Sequence, residues 1–142
     1  MGVTVRAVIC LHQGERYALP LPLVRRVTEV SAIARVPRVP PVILGVMNQQ
    51  GRVACVLDLG PLVGLKARPA RPEGKVIMLQ RAKGDLGLYV SEVFGIETLA
   101  DETTPLPAPS GAARSTVASP AGPLKVIDAD LLSRAIDQIL EA

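Results

Sequence analysis

The feature of this sequence that most constrains its fold is a series of short aliphatic runs with a two-residue period, interrupted by proline and glycine. From Val3 to Leu11 every odd-numbered residue is aliphatic, which is the spacing of a β-strand. Residues 16–21 are extended in the same way, and residues 12–15 between the two runs are typical of a turn. We therefore predict that the chain opens with a β-hairpin.

A second hairpin is predicted for residues 42–48 and 52–57, with Gly51 in the turn between them. Residues 53–57 are apolar on both faces, which indicates a strand in the middle of a sheet. Asp58 is placed to cap a short helical turn that Gly64 ends.

The remaining elements of the prediction alternate between strands and breakers. Residues 23–27 are expected to form one helical turn that presents Val24 and Val27 together, and residues 30–36 a strand ended by prolines. Further strands are predicted at residues 75–80, 86–91, 93–99 (with a bulge at Gly95), 116–118 and 124–127, and a loop at residues 101–111. A final helix is predicted at residues 129–141. Its apolar stripe consists of Leu131, Leu132, Ala135, Ile136, Ile139 and Leu140.

The predicted fold class is mainly β: two small barrels with short helical turns and a C-terminal helix, because barrels leave no exposed sheet edge. The proline-rich segment 68–74 (RPARPEG) is the clearest internal boundary. It divides the single domain of residues 1–142 into an expected first subdomain at residues 1–67 and a second at residues 75–127, followed by the helix.

Targeting and cysteine usage favour a cytoplasmic protein. No apolar run reaches the roughly 18–20 residues that span a bilayer, and the N-terminus lacks the pattern of a signal peptide. Cys10 and Cys55 lie in apolar runs and are expected to be free buried thiols in a reducing compartment. A disulfide between them is the alternative.

The sequence offers no set of residues for catalysis, metal binding or cofactor binding. Its single histidine, His12, is expected at the rim beside a turn, and its closeness in sequence to Cys10 makes a poor catalytic dyad. Neither cysteine has a neighbour at metal-ligand spacing, and the glycines around residue 60 do not have the spacing of a phosphate loop. We predict a protein that is not an enzyme and has no small-molecule substrate.

Charge is divided unevenly along the chain. Residues 1–72 carry a net charge of +7 and residues 73–142 a net charge of −4. This pattern fits two solvated faces, or a molecule with different partners at its two ends or one that packs head to tail. The alternative function is a general scaffold or a basic nucleic-acid-binding module. The latter would act through Arg25, Arg26, Arg35 and Arg38, although the chain has few aromatics on which bases could stack.

Several blocks of the sequence form a recognisable series. Residues 43–48 (ILGVMN) are followed by Gly51 and then by residues 57–59 (LDL). The second half continues with residues 75–79 (KVIML), 86–90 (LGLYV) and 93–96 (VFGI), and residues 124–132 close it. In this series the chain resembles the CheW-like family of chemotaxis coupling proteins over nearly its whole length, most clearly between residues 40 and 65.

The resemblance implies two five-stranded SH3-like barrels with a hydrophobic groove between them. It also implies an adaptor without catalytic activity. Family members join the regulatory domain of the histidine kinase CheA to the cytoplasmic tip of chemoreceptors, so the expected partners are a CheA-type kinase and a receptor tip. No cofactor and no membrane insertion are implied.

By the family's pattern, a receptor helix would contact Val24, Val27, Gly45 and Val46 around the groove. Gly45 would allow close approach because it has no side chain, and Gly45→Trp is expected to block the groove while leaving the fold intact. Core packing for Val24 and Val27, and a β-bulge for Gly45, are the alternatives. The candidates for a kinase or other partner interface are Arg25, Arg26, Asn48, Gln49, Gln50 and Ser91.

Three positions depart from the family's common pattern. Gln50 stands where the hairpin usually has arginine, Ser91 where an aspartate is common, and Arg26 where an acidic residue often occurs. Glutamine cannot reproduce the charge-assisted bonds of arginine. We therefore predict a divergent member that serves a motility or signalling pathway other than the principal chemotaxis array.

Overall fold

A computed structural model describes residues 4–81, 84–100 and 102–141 of the chain. This described part consists mainly of β-strands. The strands are β1 (Thr4–His12), β2 (Glu15–Pro20), β3 (Val24–Glu29), β4 (Ile33–Ala34), β5 (Ile43–Gln49), β6 (Arg52–Asp58), β7 (Lys75–Leu79), β8 (Asp85–Val90), β9 (Glu92–Ala100), β10 (Thr104–Ser110), β11 (Ala113–Val117) and β12 (Leu124–Ile127), and the helices are α1 (Leu59–Leu62) and α2 (Ala129–Glu141).

The described strands form two six-stranded sheets, in the orders β10-β11-β12-β2-β1-β9 and β3-β7-β8-β6-β5-β4. In each sheet the two edge strands are consecutive in the chain, with three residues between β3 and β4 and three between β9 and β10. Each pair of edges is thus one continuous stretch of backbone, and each sheet closes into a barrel with five strand positions. The predicted fold class is confirmed.

We name the barrels by their place in the chain: the central barrel contains β3–β8, and the terminal barrel contains β1, β2 and β9–β12. The strand pairing does not follow the expected division at residues 68–74. Strands β7 and β8 pair with β3 and β6 in the central barrel, while β2 pairs with β12 in the terminal one. The pairing of β6 with β8 is parallel, and parallel neighbours need a crossover connection. The proline-rich segment is part of that crossover and not a boundary between barrels.

Both predicted hairpins are confirmed. The pair His12–Glu15 closes the first and the pair Gln49–Arg52 the second, each around a two-residue turn. Gln50 and Gly51 have φ values of 53° and 82°, as a type I′ turn requires. The predicted bulge at Gly95 is also confirmed, since the pairing of β1 with β9 skips a residue beside it.

Three local predictions are wrong. The helical turn expected at residues 23–27 is a 3-10 turn at Leu21–Leu23, after which Val24 enters β3 and pairs with β7. The strand expected at residues 30–36 is reduced to β4. The loop expected at residues 101–111, whose first residue lies outside the described part, contains β10. Its prolines occupy every second position, so they leave the alternate N–H groups free for pairing.

Buried side chains form three clusters. One, which includes Ile9 and Leu124, lies among the strands of the terminal barrel alone, and another, which includes Val56 and Met78, among those of the central barrel alone. The largest cluster, which we call the interbarrel core, combines residues of both barrels with α1 and α2.

Helix α2 begins at the predicted residue, and five of the six residues of its predicted apolar stripe pack in or against the interbarrel core. The Asp128 carboxylate caps the helix by accepting a hydrogen bond from the Leu131 N–H at 3.0 Å. Leu132 and Ile136 are buried in the interbarrel core, and Leu131, Ala135 and Ile139 pack at its edge. Leu140, the last member of the predicted stripe, is 46% exposed and lies outside the core.

Candidate functional site

A row of aliphatic side chains crosses the outer face of the central barrel. Directly paired residues on neighbouring strands project to the same side of a sheet. The row follows the register through five of the six strands, β3, β7, β8, β6 and β5. It consists of Val27, Ile77, Leu88, Leu57 and Ile43.

The middle of this row is covered by the rest of the chain. Ile77, Leu88 and Leu57 are fully buried in the interbarrel core, where the terminal barrel contributes residues such as Val8 and helix α2 contributes residues such as Ile136. The hydrophobic groove expected between the barrels is therefore filled at its centre. Its floor reaches the surface only at the two ends, at Val27, which is 39% exposed, and at half-buried Ile43.

The other predicted groove valines lie on this same face. Val24 on β3 is paired with Leu79 on β7, and Val46 on β5 is paired with Cys55 on β6. Val24 packs against the interbarrel core and Val46 is half-buried. In the sheet, β7, β8 and β6 stand between the strands of these two valines. The predicted groove residues thus mark two separate flanks of one face, which we call the β3 flank (Val24 and Val27) and the β5 flank (Ile43 and Val46).

Gly45 is needed for a close approach, but the approaching backbone belongs to the same chain. It lies at a bulge in β5 with φ = 146°, and a β-carbon there would collide with the carbonyl oxygen of Ala34 and with Ile33. Any side chain at this position would displace β4 and open the barrel. The expectation that Gly45→Trp leaves the fold intact is wrong.

Asp85 draws together two parts of the predicted partner interface. Its carboxylate accepts hydrogen bonds from Arg25 on β3 at 3.3 Å and from Arg52 on β6 at 2.6 Å. Arg52 opens the strand that follows the hairpin turn, so the hairpin residues Asn48, Gln49 and Gln50 lie beside this network. Sequence reasoning missed both Asp85 and Arg52, because the ion pairs join strands distant in sequence.

Two further interface candidates have distinct surroundings. The Nε of Arg26 is buried and has no hydrogen-bond partner among the described residues, while the Asn48 side chain accepts a bond from the Gly51 N–H at 3.0 Å and so supports the hairpin turn. Ser91 lies apart from the other candidates, where the chain passes from β8 to β9, with its hydroxyl 3.4 Å from His12 Nδ1.

His12 is not the rim residue that the sequence suggested. It is 2% exposed, and its Nε2 donates a hydrogen bond of 2.6 Å to the buried carboxylate of Asp58. This pair joins the end of β1 in the terminal barrel to the end of β6 in the central barrel. The two-residue alternation along β1 could have predicted this burial, because His12 lies on the same face of the strand as Val8 and Cys10, which belong to the interbarrel core.

Asp58 is the most highly connected polar group at this junction. Besides the bond from His12, its carboxylate accepts hydrogen bonds from the backbone N–H groups of Gly60 at 3.0 Å and Arg68 at 2.9 Å. The first of these is the predicted helix cap. Burial alone would raise the pKa of Asp58, but the bonds from His12, Arg68 and Gly60 hold the pKa below its ordinary value.

The family is settled by comparison with known proteins. The profile of the CheW-like domain matches residues 6–130. The chain belongs to the CheW-like family.

CheW-like relatives of this chain include proteins with different names. It is 28% identical to the protein PilI of Pseudomonas aeruginosa over 67% of this chain and 56% of PilI, so the match spans little more than half of that relative. It is 27% identical to the chemotaxis protein CheW of Bacillus subtilis over 78% of this chain and 70% of that protein. The crystal structure of the scaffolding protein TtCheW from Thermoanaerobacter tengcongensis has the same fold, with a TM-score of 0.74 at 21% identity over 88% of this chain and 89% of that one.

The remaining chemistry of this CheW-like chain is limited. Both cysteines are free; burial raises the pKa of Cys10 to about 12 and also raises the pKa of Cys55, so both thiols are poor nucleophiles at neutral pH. The residues that the structure describes contain no group of three or more potential metal ligands. Among those residues there is also no helix of sufficient length and apolarity to span a membrane.

Proposed function

We propose that this CheW-like chain is a cytoplasmic adaptor that couples the regulatory domain of a CheA-type histidine kinase to the cytoplasmic tip of a chemoreceptor, or to the corresponding proteins of a PilI-type pathway. It acts by binding and performs no reaction. The observation that carries this proposal is that one apolar face of the central barrel is buried at its centre and open at two separate flanks.

An adaptor needs two surfaces that can be occupied at the same time. The β3 flank presents Val27 and the edge of Val24, and an apolar helix from a receptor bundle would extend the row that is already buried beneath α2. The opposite side of the same face presents Val46 and the hairpin with Asn48, Gln49 and Gln50, and we assign it to the kinase. Val46, which the resemblance placed among the receptor contacts, moves to this surface because three strands separate it from Val24 and Val27. Val53, which is 68% exposed beside Asn48, adds apolar area to this second surface.

The absence of the usual hairpin arginine is partly offset in this chain. Arg52 lies just after the turn and is bound to Asp85, which also binds Arg25. The resulting cluster has a net positive charge even without an arginine at position 50. We infer that the kinase surface facing this cluster is acidic. We also infer that the placement of the positive charge on Arg25 and Arg52, and not at position 50, separates the pathway of this protein from the principal chemotaxis array.

Binding assays with the cognate kinase regulatory domain and receptor tip test the proposal. Val27→Asp should abolish receptor binding, because it places a charge on the exposed end of the row, and should leave kinase binding unchanged. Val5→Asp is the matched control, since Val5 is 41% exposed but lies on the terminal barrel. Failure of the unmodified protein to bind either partner would overturn the adaptor role, and equal effects of the two substitutions would overturn the assignment of the β3 flank.

The structure does not favour the alternative of a nucleic-acid-binding module. Tyr17 and Tyr89 are both buried, at 1% and 5% exposure, and Arg25 is held by Asp85. Phe94, 50% exposed and lying beneath the guanidinium of Arg16, is therefore the only described aromatic side chain on which a base could stack.

A further inference from the structure

Beside the β5 flank lies a cleft that is lined by Ile43 but not by Val46, and the proposed function does not use this cleft. The cleft has a volume of about 540 Å³ and lies between the loop that follows β4 and the segment that leads from α1 toward β7. Its apolar lining includes Ile33, Val36, Ile43, Leu44 and Pro69. Ile43 is the last member of the aliphatic row on the face that the interbarrel core covers, whereas Ile33 and Leu44 pack against the cluster inside the central barrel.

The rim of the cleft is basic. Arg35 and Arg68 both line it, and no carboxylate does. Across residues 31–72 the chain has six basic side chains and one acidic side chain, Asp58, which is buried. Arg35 and Arg68 are exposed and make no ion pair within the part of the chain that the structure describes. The cleft therefore combines an apolar floor with positive charge that nothing nearby neutralises.

Both walls of the cleft are fixed by hydrogen bonds. On one wall the Arg68 N–H donates to Asp58 at 2.9 Å, and the Arg71 N–H donates to the hydroxyl of Tyr89 at 2.9 Å. On the other wall the Ile43 N–H donates to the Pro40 carbonyl at 2.9 Å, and the Asp58 N–H donates to the Val42 carbonyl at 2.8 Å. A cleft with fixed walls pays little ordering entropy when it binds a ligand.

We propose that this cleft docks a segment of a partner protein in which acidic side chains flank aliphatic ones. The aliphatic side chains pack on Ile33, Val36 and Leu44, and the acidic side chains pair with Arg35 and Arg68. Charge complementarity selects this occupant, because a purely apolar segment would leave both arginines without a counter-charge and a nucleic acid would leave the apolar floor uncovered. The cleft is distinct from the β3 flank and does not depend on the adaptor role.

A synthetic peptide of alternating glutamate and leucine, labelled with a fluorophore, serves as the probe. Its binding to the full chain is measured by fluorescence anisotropy, and amide chemical shifts of the labelled protein locate the contact. We expect Arg35→Glu combined with Arg68→Glu to weaken binding by about tenfold or more. The matched control is Arg114→Glu combined with Arg134→Glu, which reverses two exposed arginines away from the cleft and should change the affinity by less than about twofold.

Two control peptides and one hydrodynamic measurement decide the chemistry. A lysine–leucine peptide and a glutamate–serine peptide should each bind at least about tenfold more weakly than the probe, since each lacks one half of the complementarity. The proposal is overturned if the Arg35 and Arg68 reversals leave the affinity unchanged, or if single-stranded DNA competes at the same residues with greater affinity. It is also overturned if sedimentation shows a dimer and the amide shifts of the cleft residues change as that dimer forms. Thermal unfolding of each variant checks that the fold is retained.

Discussion

The two barrels are built on the same plan but carry opposite charge. Residues 24–90, which contain the central barrel, have a net charge of +7, whereas the two stretches that form the terminal barrel, residues 4–20 and 92–127, have a net charge of −1. The unevenness that the sequence shows between its halves is therefore also found between the barrels, with the positive charge on the central barrel. The positive charge of the central barrel favours acidic partners, and the terminal barrel contributes cover for the apolar face.

The interiors of the barrels differ as well. The terminal barrel is filled by small and aliphatic side chains that include Ala7 and Ala18, while the central barrel holds Met47, Met78 and Tyr89. The Tyr89 hydroxyl is itself used to hold the proline-rich segment. The terminal barrel is thus a simple packed support, whereas the central barrel combines packing with polar contacts that shape its surface. The predictions below test this difference.

The largest expected effect comes from Asp58→Ala, which removes the link between the barrels. It leaves His12 and the Gly60 N–H buried without their acceptor, and it also removes the acceptor of the partly buried Arg68 N–H. Such losses typically cost about 3–5 kcal/mol. The Tyr17 side chain lies in the interbarrel core and that of Tyr89 in the cluster inside the central barrel. Urea unfolding followed in Tyr17→Phe and Tyr89→Phe backgrounds therefore reports separately on the central barrel and on the interbarrel core. We expect the two unfolding transitions to separate in the Asp58 variant; coincident transitions with an unchanged midpoint would contradict the link.

Ile136→Ala tests the cover that α2 places over the interbarrel core. The side chain is fully buried, and large-to-small substitutions of this kind cost about 2–5 kcal/mol. Leu140→Ala is the matched control on the same helix, because Leu140 is 46% exposed, and it should cost less than about 0.5 kcal/mol. Equal losses of unfolding free energy for the two variants would show that the helix is not the cover.

Acid should weaken the junction through Asp58. The pKa of this group is lower in the folded chain than its ordinary value of 3.8, so its contribution to stability is complete above that value. As the pH falls from about 4 toward the folded pKa, the contribution is lost. The urea midpoint of the unmodified protein should decrease over this range, and in Asp58→Asn this component of the decrease should be missing. Identical slopes for the two proteins would argue against the assignment.

Asp85→Ala should have a smaller effect that is confined to the central barrel. Its partners Arg25 and Arg52 are largely exposed, with side-chain exposures of 44% and 68%, so we expect a loss of about 0.5–1 kcal/mol that decreases with added salt. The Tyr89 signal should shift while the Tyr17 signal keeps its midpoint. A salt-independent loss would point to packing instead of charge.

The smallest effect is expected from thiol labelling. Burial raises the pKa of Cys10 to about 12, and Cys55 is half-buried with a pKa that is also raised. A disulfide-exchange reagent at neutral pH should modify Cys55 slowly and Cys10 only on unfolding, as mass spectrometry of the labelled peptides would reveal. Rapid modification of Cys10 would mean that the interbarrel core opens in the folded state.

Local patterns in the sequence were sufficient to predict most strands. The alternation from Val3 to Leu11 and the glycine at position 51 each give a hairpin, because both signals depend only on neighbouring residues. The C-terminal helix was predictable for the same reason. The helical turn at residues 23–27 was wrong, since pairing with β7 overrides the weak local preference of that segment.

Features that depend on distant residues were not predictable from the sequence. The meeting of His12 with Asp58, and that of Arg25 and Arg52 at Asp85, join strands that only the closed barrels bring together. The composition of segment 68–74 identified a connection but could not indicate which strands it joins. For Gly45 the sequence indicated close backbone approach and could not show that β4 is the neighbour.

The parallel pairing of β2 with β12 has a consequence for synthesis of the chain. All strands of the central barrel have left the ribosome once Val90 has emerged, but the terminal barrel cannot close until Ile127 has followed. During that interval the edge of β2 and the apolar face of β1 are exposed beside a finished barrel, and unpaired edges of this kind invite aggregation. Slow translation between these two points should therefore favour chaperone capture of the nascent protein.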